Sequence, residues 1–595
     1  MGRAVGSLPT AAPGGVFTST EHFEQDVTPL INATLETEVD HWYWDAINAE
    51  NTTTISSFDV VVPDAVAGTA RITAGFAGAT DGGAANDHHA IVRINGVEVG
   101  TAAWGGIARF EQTFELDGAL LTPLTTIEIE GVLAEGSTAS IFFIDAFDIE
   151  YQRHYQAVGD ALLLTGDGNK VVTVEALTTA DVAIFDISVP RAPVRVHSVR
   201  VELNAAGFQA SFVPADADSP YFATTESSVL AGSNLRLLAP AIDLRATHHD
   251  YQHLVIAPEA WRSEAEALAA YRSGTGISSL AISIEDVYDA FSDGIVTPWA
   301  IRDLLDYARR NWAQAPDYVL LAGRGTLDPR DLLGGGDNFI PVVLVGTPYG
   351  LIATDNVLAD LVGDDAVPEI AFGRLPIISA DELAIYTGKL DAYDGSTGDW
   401  RGRALLLADN EDSAGNFPLQ SDAVAELLTS YEQELVYLSE MTPVDARAAL
   451  QSAWNDGVQL VNYVGHGGVT VLAAESLLTV ADAGLLLNGD RLPIVSALTC
   501  IAGRSDIPNL ESLAESLVVA TEGGAIAVWA PTGVSLSGAA HELNLLYVQA
   551  LEAAAADTPL GDVVLETLRA FGAAGGGDEM LHAYSIVGDP AVALP

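Results

Sequence analysis

The chain contains one thiol, and an upstream histidine occupies a comparable place in the sequence pattern. Cys500 is the only cysteine among 595 residues, and it follows an apolar run at 492–499. His466 follows a second apolar run at 458–464 and has glycine on both sides. A cysteine with no partner for an intrachain disulfide is either a packed apolar group or a group kept for its reactivity. A thiol and an imidazole at the ends of two neighbouring strands would supply what cysteine-dependent acyl transfer needs.

In that chemistry the thiolate of Cys500 attacks a peptide carbonyl, and His466 first favours the thiolate and then protonates the leaving amine. The backbone N–H groups of Gly467 and Cys500 are candidates for an oxyanion hole, in which each donor contributes about 3 kcal/mol. The alternative is that the cysteine only packs in a core, as buried cysteines usually do. The spacing of the residues alone leaves both interpretations open.

The elements that must position this pair belong to an α/β pattern. From 246 onward, buried strands alternate with helices, which predicts parallel strands joined by right-handed crossovers. Ligands bind beyond the carboxyl ends of such strands. One crossover separates the strands that end near His466 and Cys500, so the pattern places them as neighbours about 5 Å apart. The predicted helices lie at 263–273, 286–291, 299–312, 379–393, 422–428, 443–454 and 481–487.

The N-terminal part has a different pattern, with short alternating strands and no amphipathic helix of normal length. Asn95-Gly96 between two such strands predicts a tight hairpin, because both positions favour positive φ. We expect a multidomain chain whose all-β modules precede an α/β domain in two halves with mostly parallel sheets. The predicted segments are a jelly-roll-like β-sandwich at 1–152, a small β module at 153–245, a first α/β half at 246–398 and a catalytic half at 399–595.

The composition is strongly acidic. The formal net charge is -55, and Lys170 and Lys389 are the only lysines. Nucleic acid would be repelled by this charge. The charge is typical either of a salt-adapted (halophilic) protein or of a solvated acidic surface without that adaptation. No apolar stretch approaches the ~18 residues of a transmembrane segment, and the start at 1–6 lacks the apolar core of a secretory signal.

Several blocks of the C-terminal part form a recognisable series, at 287–294, 297–302, 316–323, 354–356, 367–376, 462–467, 497–500 and 585–590. In this order the blocks resemble the gingipain family of cysteine peptidases, relatives of caspases and legumains. The resemblance implies a caspase-like α/β fold and peptidase activity, and the N-terminal β modules are similar to accessory modules of such proteins.

The resemblance also implies roles for single residues. His466 and Cys500 correspond to the catalytic dyad. Counted without gaps from Trp400, Glu411 falls where the family has an acid that orients the histidine, and Asp422 falls where arginine-specific members have a carboxylate in the S1 pocket. The alternatives are a solvated loop acid at Glu411 and an acid near a helix N-terminus at Asp422.

One position departs from the family pattern. Members usually have an aspartate that helps to bind a structural calcium where this chain has Arg324. Asp365 and Glu369, which correspond to other ligands, remain. We therefore predict an ion pair of Arg324 with one of these carboxylates in place of calcium, and no cofactor required for catalysis. Two histidine clusters, at 87–89 and 248–253, lack a recognised metal-binding spacing.

The leading hypothesis is a gingipain-like cysteine endopeptidase that acts on a protein or peptide substrate. One alternative is a sortase-like processing enzyme or transpeptidase of secreted proteins. Another is a non-catalytic surface protein whose β module binds a glycan or a surface partner. The resemblance implies an extracellular or cell-surface location.

Overall fold

The computed structural model of the chain describes residues 15–31, 40–49, 54–229, 242–336, 338–363 and 365–594. Their contacts divide them into two compact units, one within 15–229 and one within 242–594. The predicted features at 1–6, and residues 230–241 of the predicted module at 153–245, lie outside the described residues. The division of the chain into four segments stays a prediction.

The first part of the first unit is a sandwich of two antiparallel sheets. The strand orders are β1-β11-β6-β9, with β4 beside β11, and β5-β10-β7-β8. Both sheets contribute buried side chains to one core, among them Ile72, Val92 and Phe147. The hairpin at Asn95 and Gly96 is confirmed, with φ values of 49° and 78°. The strands are β1 (Val16–Glu24), β2 (Thr28–Pro29), β3 (Trp42–Tyr43), β4 (Asp45–Asn48), β5 (Thr54–Val60), β6 (Thr69–Gly78), β7 (His88–Ile94), β8 (Val97–Trp104), β9 (Arg109–Asp117), β10 (Thr125–Gly131) and β11 (Ile141–His154).

The second part of the first unit is also made of strands. Its two sheets have the orders β12-β18-β14-β15 and β13-β17-β16. They share a smaller core around Val174, Ile184 and Phe212. The strands are β12 (Ala161–Thr165), β13 (Val172–Leu177), β14 (Val182–Asp186), β15 (Val194–Arg195), β16 (Arg200–Asn204), β17 (Gly207–Phe212) and β18 (Pro220–Thr225). The predicted all-β character of the N-terminal part is confirmed.

The second unit is built on one continuous ten-stranded sheet with helices on its faces. The strand order is β20-β19-β21-β24-β33-β32-β31-β27-β25-β26. The remaining strands form a hairpin, β22-β23, and a small sheet, β28-β29-β30. The strands are β19 (His253–Ala257), β20 (Ser279–Ser283), β21 (Tyr318–Ala322), β22 (Val343–Thr347), β23 (Gly350–Thr354), β24 (Ala371–Leu375), β25 (Arg403–Ala408), β26 (Glu432–Tyr437), β27 (Leu460–Val464), β28 (Gly467–Gly468), β29 (Val471–Leu472), β30 (Leu478–Thr479), β31 (Ile494–Leu498), β32 (Ala527–Pro531) and β33 (Tyr584–Val587).

The large sheet consists of two parallel blocks that run in opposite directions. The first block contains β19, β20, β21, β24 and β33, and the second contains β25, β26, β27, β31 and β32. Neighbouring strands within each block are parallel, whereas β33 and β32, which join the blocks, are antiparallel. The expectation of mostly parallel strands is therefore confirmed. The two predicted halves contribute to one sheet, and the carboxyl ends of the two blocks lie at opposite edges.

The helices follow the local signals of the sequence at several termini. Ser379 caps α5 by accepting a hydrogen bond from the Glu382 N–H, as the pattern there indicates. The helix predicted at 422–428 begins earlier, at Phe417, because Asn416 provides the cap and Pro418 fits the first turn. The helices are α1 (Arg262–Gly274), α2 (Ile284–Phe291), α3 (Trp299–Asn311), α4 (Asn356–Ala359), α5 (Ala380–Gly395), α6 (Phe417–Leu427), α7 (Pro443–Asp456), α8 (Val480–Ala483), α9 (Leu513–Val519), α10 (Ser537–Ala553), α11 (Leu560–Ala573) and α12 (Asp578–Ala583).

Across the part of the chain that the structure describes, no helix has both the length and the apolar character required to cross a bilayer.

Candidate active site

Strand register brings His466 and Cys500 to the same edge of the sheet. β27 and β31 are adjacent and parallel, and their last residues, Val464 and Leu498, are register partners. His466 and Cys500 are each the second residue after these strand ends. The Gly465 N–H also donates to the Leu498 carbonyl at 3.3 Å, so the two loops remain beside each other where they leave the sheet.

The two side chains line one cavity of about 180 Å³. His466 is half-exposed, and Cys500 is partly buried. The walls come from α6, from the ends of β27 and β31, and from the segment that leads into α10. The lining residues are Ala414, Phe417, Gln420, Val464, Gly465, His466, Leu498, Thr499, Cys500, Val534, Ser535, Leu536, Ser537 and Ala540.

The backbone of His466 is held from two sides. Its N–H donates to the buried Asp409 carboxylate at 3.1 Å, and its carbonyl accepts from the Tyr463 hydroxyl at 2.6 Å. Burial raises the pKa of Asp409, although the N–H groups of Asn410 and His466 oppose that shift. A Cβ at Gly465 would lie 2.4 Å from both the Asp409 Cβ and the Tyr463 hydroxyl oxygen, so this position requires glycine. The loop therefore has little freedom to move the imidazole.

Asp412, and not Glu411, contacts the imidazole. The His466 Nε2 lies 2.9 Å from an Asp412 carboxylate oxygen, and the Phe417 ring meets the imidazole edge-on at 5.2 Å between ring centroids. The expectation that Glu411 orients His466 is thus off by one residue, because an ungapped count cannot follow the turn after β25. The Ala414 N–H and His466 together lower the pKa of Asp412, so this carboxyl is ionised at neutral pH.

This contact also selects a tautomer of His466. A carboxylate can only accept a hydrogen bond, so the Nε2 atom carries the proton. The Nδ1 atom is then left to exchange a proton with a reacting group. An imidazole held by a carboxylate in this way is what a proton-transferring histidine needs.

The Gly467 N–H points away from the hairpin formed by β28 and β29. Gly467 is the register partner of Leu472 in this hairpin, and the Ala473 N–H donates to the His466 carbonyl at 2.9 Å. In an antiparallel ladder, that bond makes Gly467–Leu472 a non-hydrogen-bonded pair. A Cβ at Gly467 would lie 2.3 Å from the Thr499 Oγ1, so only glycine allows this close approach to the residue before Cys500.

The thiol of Cys500 is positioned by the segments around β32 and β33. It donates to the Ser535 carbonyl at 3.6 Å, and the Ser535 hydroxyl lies 3.0 Å from the Tyr584 hydroxyl. Burial raises the pKa of Tyr584, and the nearby Cys500 raises it further. Sequence reasoning missed Ser535 and Tyr584, because Tyr584 starts the strand whose reversed direction no local pattern indicates.

Asp422 does not line the cavity. It is exposed on α6, and its carboxylate accepts a hydrogen bond from the Tyr437 hydroxyl at 3.1 Å. The structure therefore does not bring the predicted S1 carboxylate to Cys500. The earlier start of α6 explains the difference, because it makes Phe417 and Gln420 the residues of this helix that line the cavity.

The predicted ion pair of Arg324 with Asp365 or Glu369 is wrong. The Arg324 guanidinium pairs with Glu515, a buried acid in the first turn of α9. Glu369 instead accepts from the N–H groups of Leu361 and Val362, at 2.7 and 3.0 Å. Glu515 is the better partner because burial leaves its charge without water. The expectation that no calcium binds near Glu369 stays a prediction.

The histidine clusters have structural partners. His253 faces Asp589 at 3.3 Å, and His88 lies 3.1 Å from the Ser140 hydroxyl. Within the described ranges, one group of acids, Glu24, Asp26 and Asp40, has ligand atoms close enough together for a metal ion. Such partly exposed acidic groups are common without an ion.

Comparisons with known proteins assign the C-terminal part of the chain to a family. The sequence model of peptidase family C25 matches residues 246–595. Gingipain R2 from Porphyromonas gingivalis (strain ATCC BAA-308 / W83) is 27% identical over 282 residues, which are 46% of this chain and 35% of the relative. Gingipain R1 from Porphyromonas gingivalis is 28% identical over 207 residues, which are 32% of this chain and 20% of the relative. The chain thus spans about a third or less of the length of these relatives.

Among solved structures, the complex of the pro- and mature domains of Porphyromonas gingivalis RgpB has a similar fold. The TM-score is 0.50 at 22% identity, and the match covers 58% of this chain and 79% of that chain. At this identity the likeness concerns the fold alone.

Proposed function

Because the chain belongs to peptidase family C25, we propose that it is a cysteine endopeptidase with a caspase-like catalytic domain, in which Cys500 is the nucleophile and His466 transfers protons. The single observation that carries the proposal is the shared cavity. Cys500 and His466 both line it, and the Nε2 atom of His466 contacts Asp412. A cysteine that only packed in a core would not need a half-exposed imidazole beside it.

In the first half of the reaction, the Cys500 thiol gives its proton to the His466 Nδ1, and the sulfur forms a bond to the carbonyl carbon of the scissile peptide. The oxygen becomes an oxyanion, towards which the N–H groups of Gly467 and Cys500 point in this proposal. The carbon–nitrogen bond then breaks, and His466 gives its proton to the departing amine. The product is a thioester between Cys500 and the new carboxyl side of the substrate.

In the second half, His466 accepts a proton from water, and the resulting hydroxide attacks the thioester carbon. The carbon–sulfur bond breaks and releases the carboxyl product. His466 returns its proton to the departing sulfur, so the cysteine and the histidine regain their starting states. Asp412 stabilises the imidazolium that forms in each half and keeps the imidazole in one tautomer. Asp412 takes the role that the sequence assigned to Glu411.

The test is product analysis with an unstructured protein as substrate in water enriched in ¹⁸O. Hydrolysis puts the heavy isotope into new carboxyl ends, whereas a transpeptidase joins the carboxyl side to an added amine. Cys500→Ala and His466→Ala should each reduce cleavage by about 10⁴-fold or more. His154→Ala, which removes an exposed histidine of the first unit, should leave cleavage unchanged.

Cleavage that persists in Cys500→Ala would overturn the proposal. Absence of both cleavage and joining in the unmodified chain would favour the non-catalytic surface protein. The extracellular or cell-surface location and the glycan partner of the β module stay predictions, which cell fractionation and a glycan array would test.

A further inference from the structure

The cavity beside Cys500 lacks the carboxylate that would select a basic side chain. Among the described residues that line it, none is an aspartate or a glutamate, and most of the wall is apolar. Asp422 points to Tyr437, and Asp412 is engaged by His466. We propose that this cavity is the S1 pocket and that it takes an uncharged, mainly apolar side chain. This inference rests on the proposed function.

The size and position of the cavity suit one side chain. Its volume of about 180 Å³ lies below the ~300–1,000 Å³ of pockets that enclose whole small molecules. Cys500 and His466 form part of its wall, so a peptide whose carbonyl meets the sulfur has its neighbouring side chain at the cavity entrance. Val534 and Leu536, which are 36% and 55% exposed, supply apolar surface to the cavity wall.

Two polar side chains of the cavity wall, one from α6 and one from α10, satisfy each other. The Gln420 Nε2 donates to the Ser537 Oγ at 3.0 Å, and the Ser537 hydroxyl donates back to the Gln420 carbonyl oxygen at 3.4 Å. Gly415 covers this pair closely, because a Cβ there would lie 2.5 Å from the Ser537 Oγ. The Gln420–Ser537 pair is neutral, so a guanidinium or ammonium entering the cavity would lose water without gaining a charged partner. That loss is costly.

A hydroxyl in the wall is left for a ligand. The Thr499 Oγ1 is buried beside Cys500 and has no hydrogen-bond partner among the described residues. Buried hydroxyls are usually satisfied, so an unpartnered one in the wall of a cavity indicates a group that pairs when the cavity is filled. A backbone atom of the bound peptide meets this need without any charge in the side chain.

The test is cleavage of a peptide series that varies only at P1. The unmodified protein should cleave after leucine, methionine or phenylalanine at least about tenfold faster, in kcat/KM, than after arginine or lysine. Gln420→Glu places a carboxylate inside the cavity and should raise the arginine-to-leucine ratio by about tenfold or more. Ser537→Asp gives a second route to the same change should Gln420→Glu fail to fold.

The matched control is Leu419→Glu. It adds the same charge to the same helix at a position that is 64% exposed and outside the cavity lining, so the ratio should not change. A basic P1 preference in the unmodified protein that Asp422→Asn abolishes would overturn the inference and restore the family role of Asp422, while leaving the proposed function intact. Absence of cleavage after every residue would overturn both.

Discussion

The two blocks of the large sheet carry different polar groups at the carboxyl ends of their strands. At the carboxyl end of β24, Arg374 donates to both oxygens of Asp355, at 2.7 and 2.8 Å, and also to the carbonyls of Gly323 and Ile340. Both members of this ion pair are buried. At the carboxyl ends of β27 and β31, a half-exposed imidazole and a thiol line an open cavity instead.

One sheet therefore has a closed edge and an open edge. At the closed edge, the carboxyl end of β24, the charged groups pair with each other. At the open edge, the carboxyl ends of β27 and β31, the imidazole and the thiol face a cavity. At the end of β24 the first block pairs Arg374 with Asp355 internally, which stabilises the fold but leaves neither charge for a substrate. The second block leaves donors and a nucleophile uncommitted, while buried groups such as Asp409 fix the backbone around them. The predictions below test whether the two edges really differ in this way.

The largest expected effect is at the closed edge. Arg374→Ala should lower the free energy of unfolding by about 3–5 kcal/mol, because it leaves the buried Asp355 charge unpaired. Arg310→Ala removes an exposed ion pair with Asp306 and should change it by less than about 1 kcal/mol. Denaturant unfolding of both variants measures the contrast, and equal losses would show that the Arg374 pair is not the main constraint at this edge.

At the open edge, Gly467→Ala should reduce kcat/KM by about 100-fold. The added methyl would overlap Thr499 and shift the N–H that we propose faces the reacting carbonyl. Gly468→Ala is the matched control, because a Cβ there meets Val471 at an ordinary 3.4 Å. Similar activity of the two variants would remove Gly467 from the proposed oxyanion hole.

A third prediction concerns how the free energy of unfolding depends on pH through a buried carboxyl of the first block. Asp589 is fully buried, with the Arg272 Nε at 2.7 Å and His253 at 3.3 Å. Arg272 and His253 outweigh the effect of burial and hold the pKa of Asp589 well below its usual range. The stabilisation is therefore present above the unfolded-state pKa near 3.9 and is lost as the pH falls towards the folded-state value.

Unfolding measured between pH 4 and pH 2 should accordingly show a loss of about 2 kcal/mol from Asp589. Asp589→Asn should reduce this loss of unfolding free energy, whereas Asp490→Asn, at an exposed acid, should not. An equal loss in all three proteins would mean that other carboxylates dominate the response to acid.

The smallest effect separates two adjacent acids at the open edge. Asp412→Asn should lower kcat/KM by less than about tenfold, because the Asp412–His466 pair is exposed to water. Glu411→Gln should have no effect, since the carboxylate in contact with the imidazole is that of Asp412. The opposite result, with Glu411 as the sensitive position, would restore the residue that the ungapped count selected.

Much of this comparison could be predicted from the sequence, and the exceptions share a cause. The apolar runs at β27 and β31 fix where His466 and Cys500 leave the sheet, so their common edge follows from strand order alone. Asp412 and Glu411 lie in a turn, where a shift of one residue changes which carboxylate reaches the ring. The reversal of β33, and with it the place of Tyr584 near Cys500, depends on pairing between distant strands.

Ionic partners were equally hard to predict. The sequence offers several acids as partners for Arg324. Its pairing with Glu515 follows from the burial of the Glu515 side chain in α9. The missing S1 carboxylate has a similar origin, because the start of α6 decides which of its residues line the cavity.

The most direct test of the central claim is the site of covalent labelling by peptidyl acyloxymethyl ketones, one with leucine and one with arginine at P1. Peptide mapping by mass spectrometry should find the adduct on Cys500 in the unmodified protein and a much lower yield in His466→Ala. An unlabelled Cys500 with both reagents, or the same yield without the imidazole, would contradict the claim that these two side chains act together.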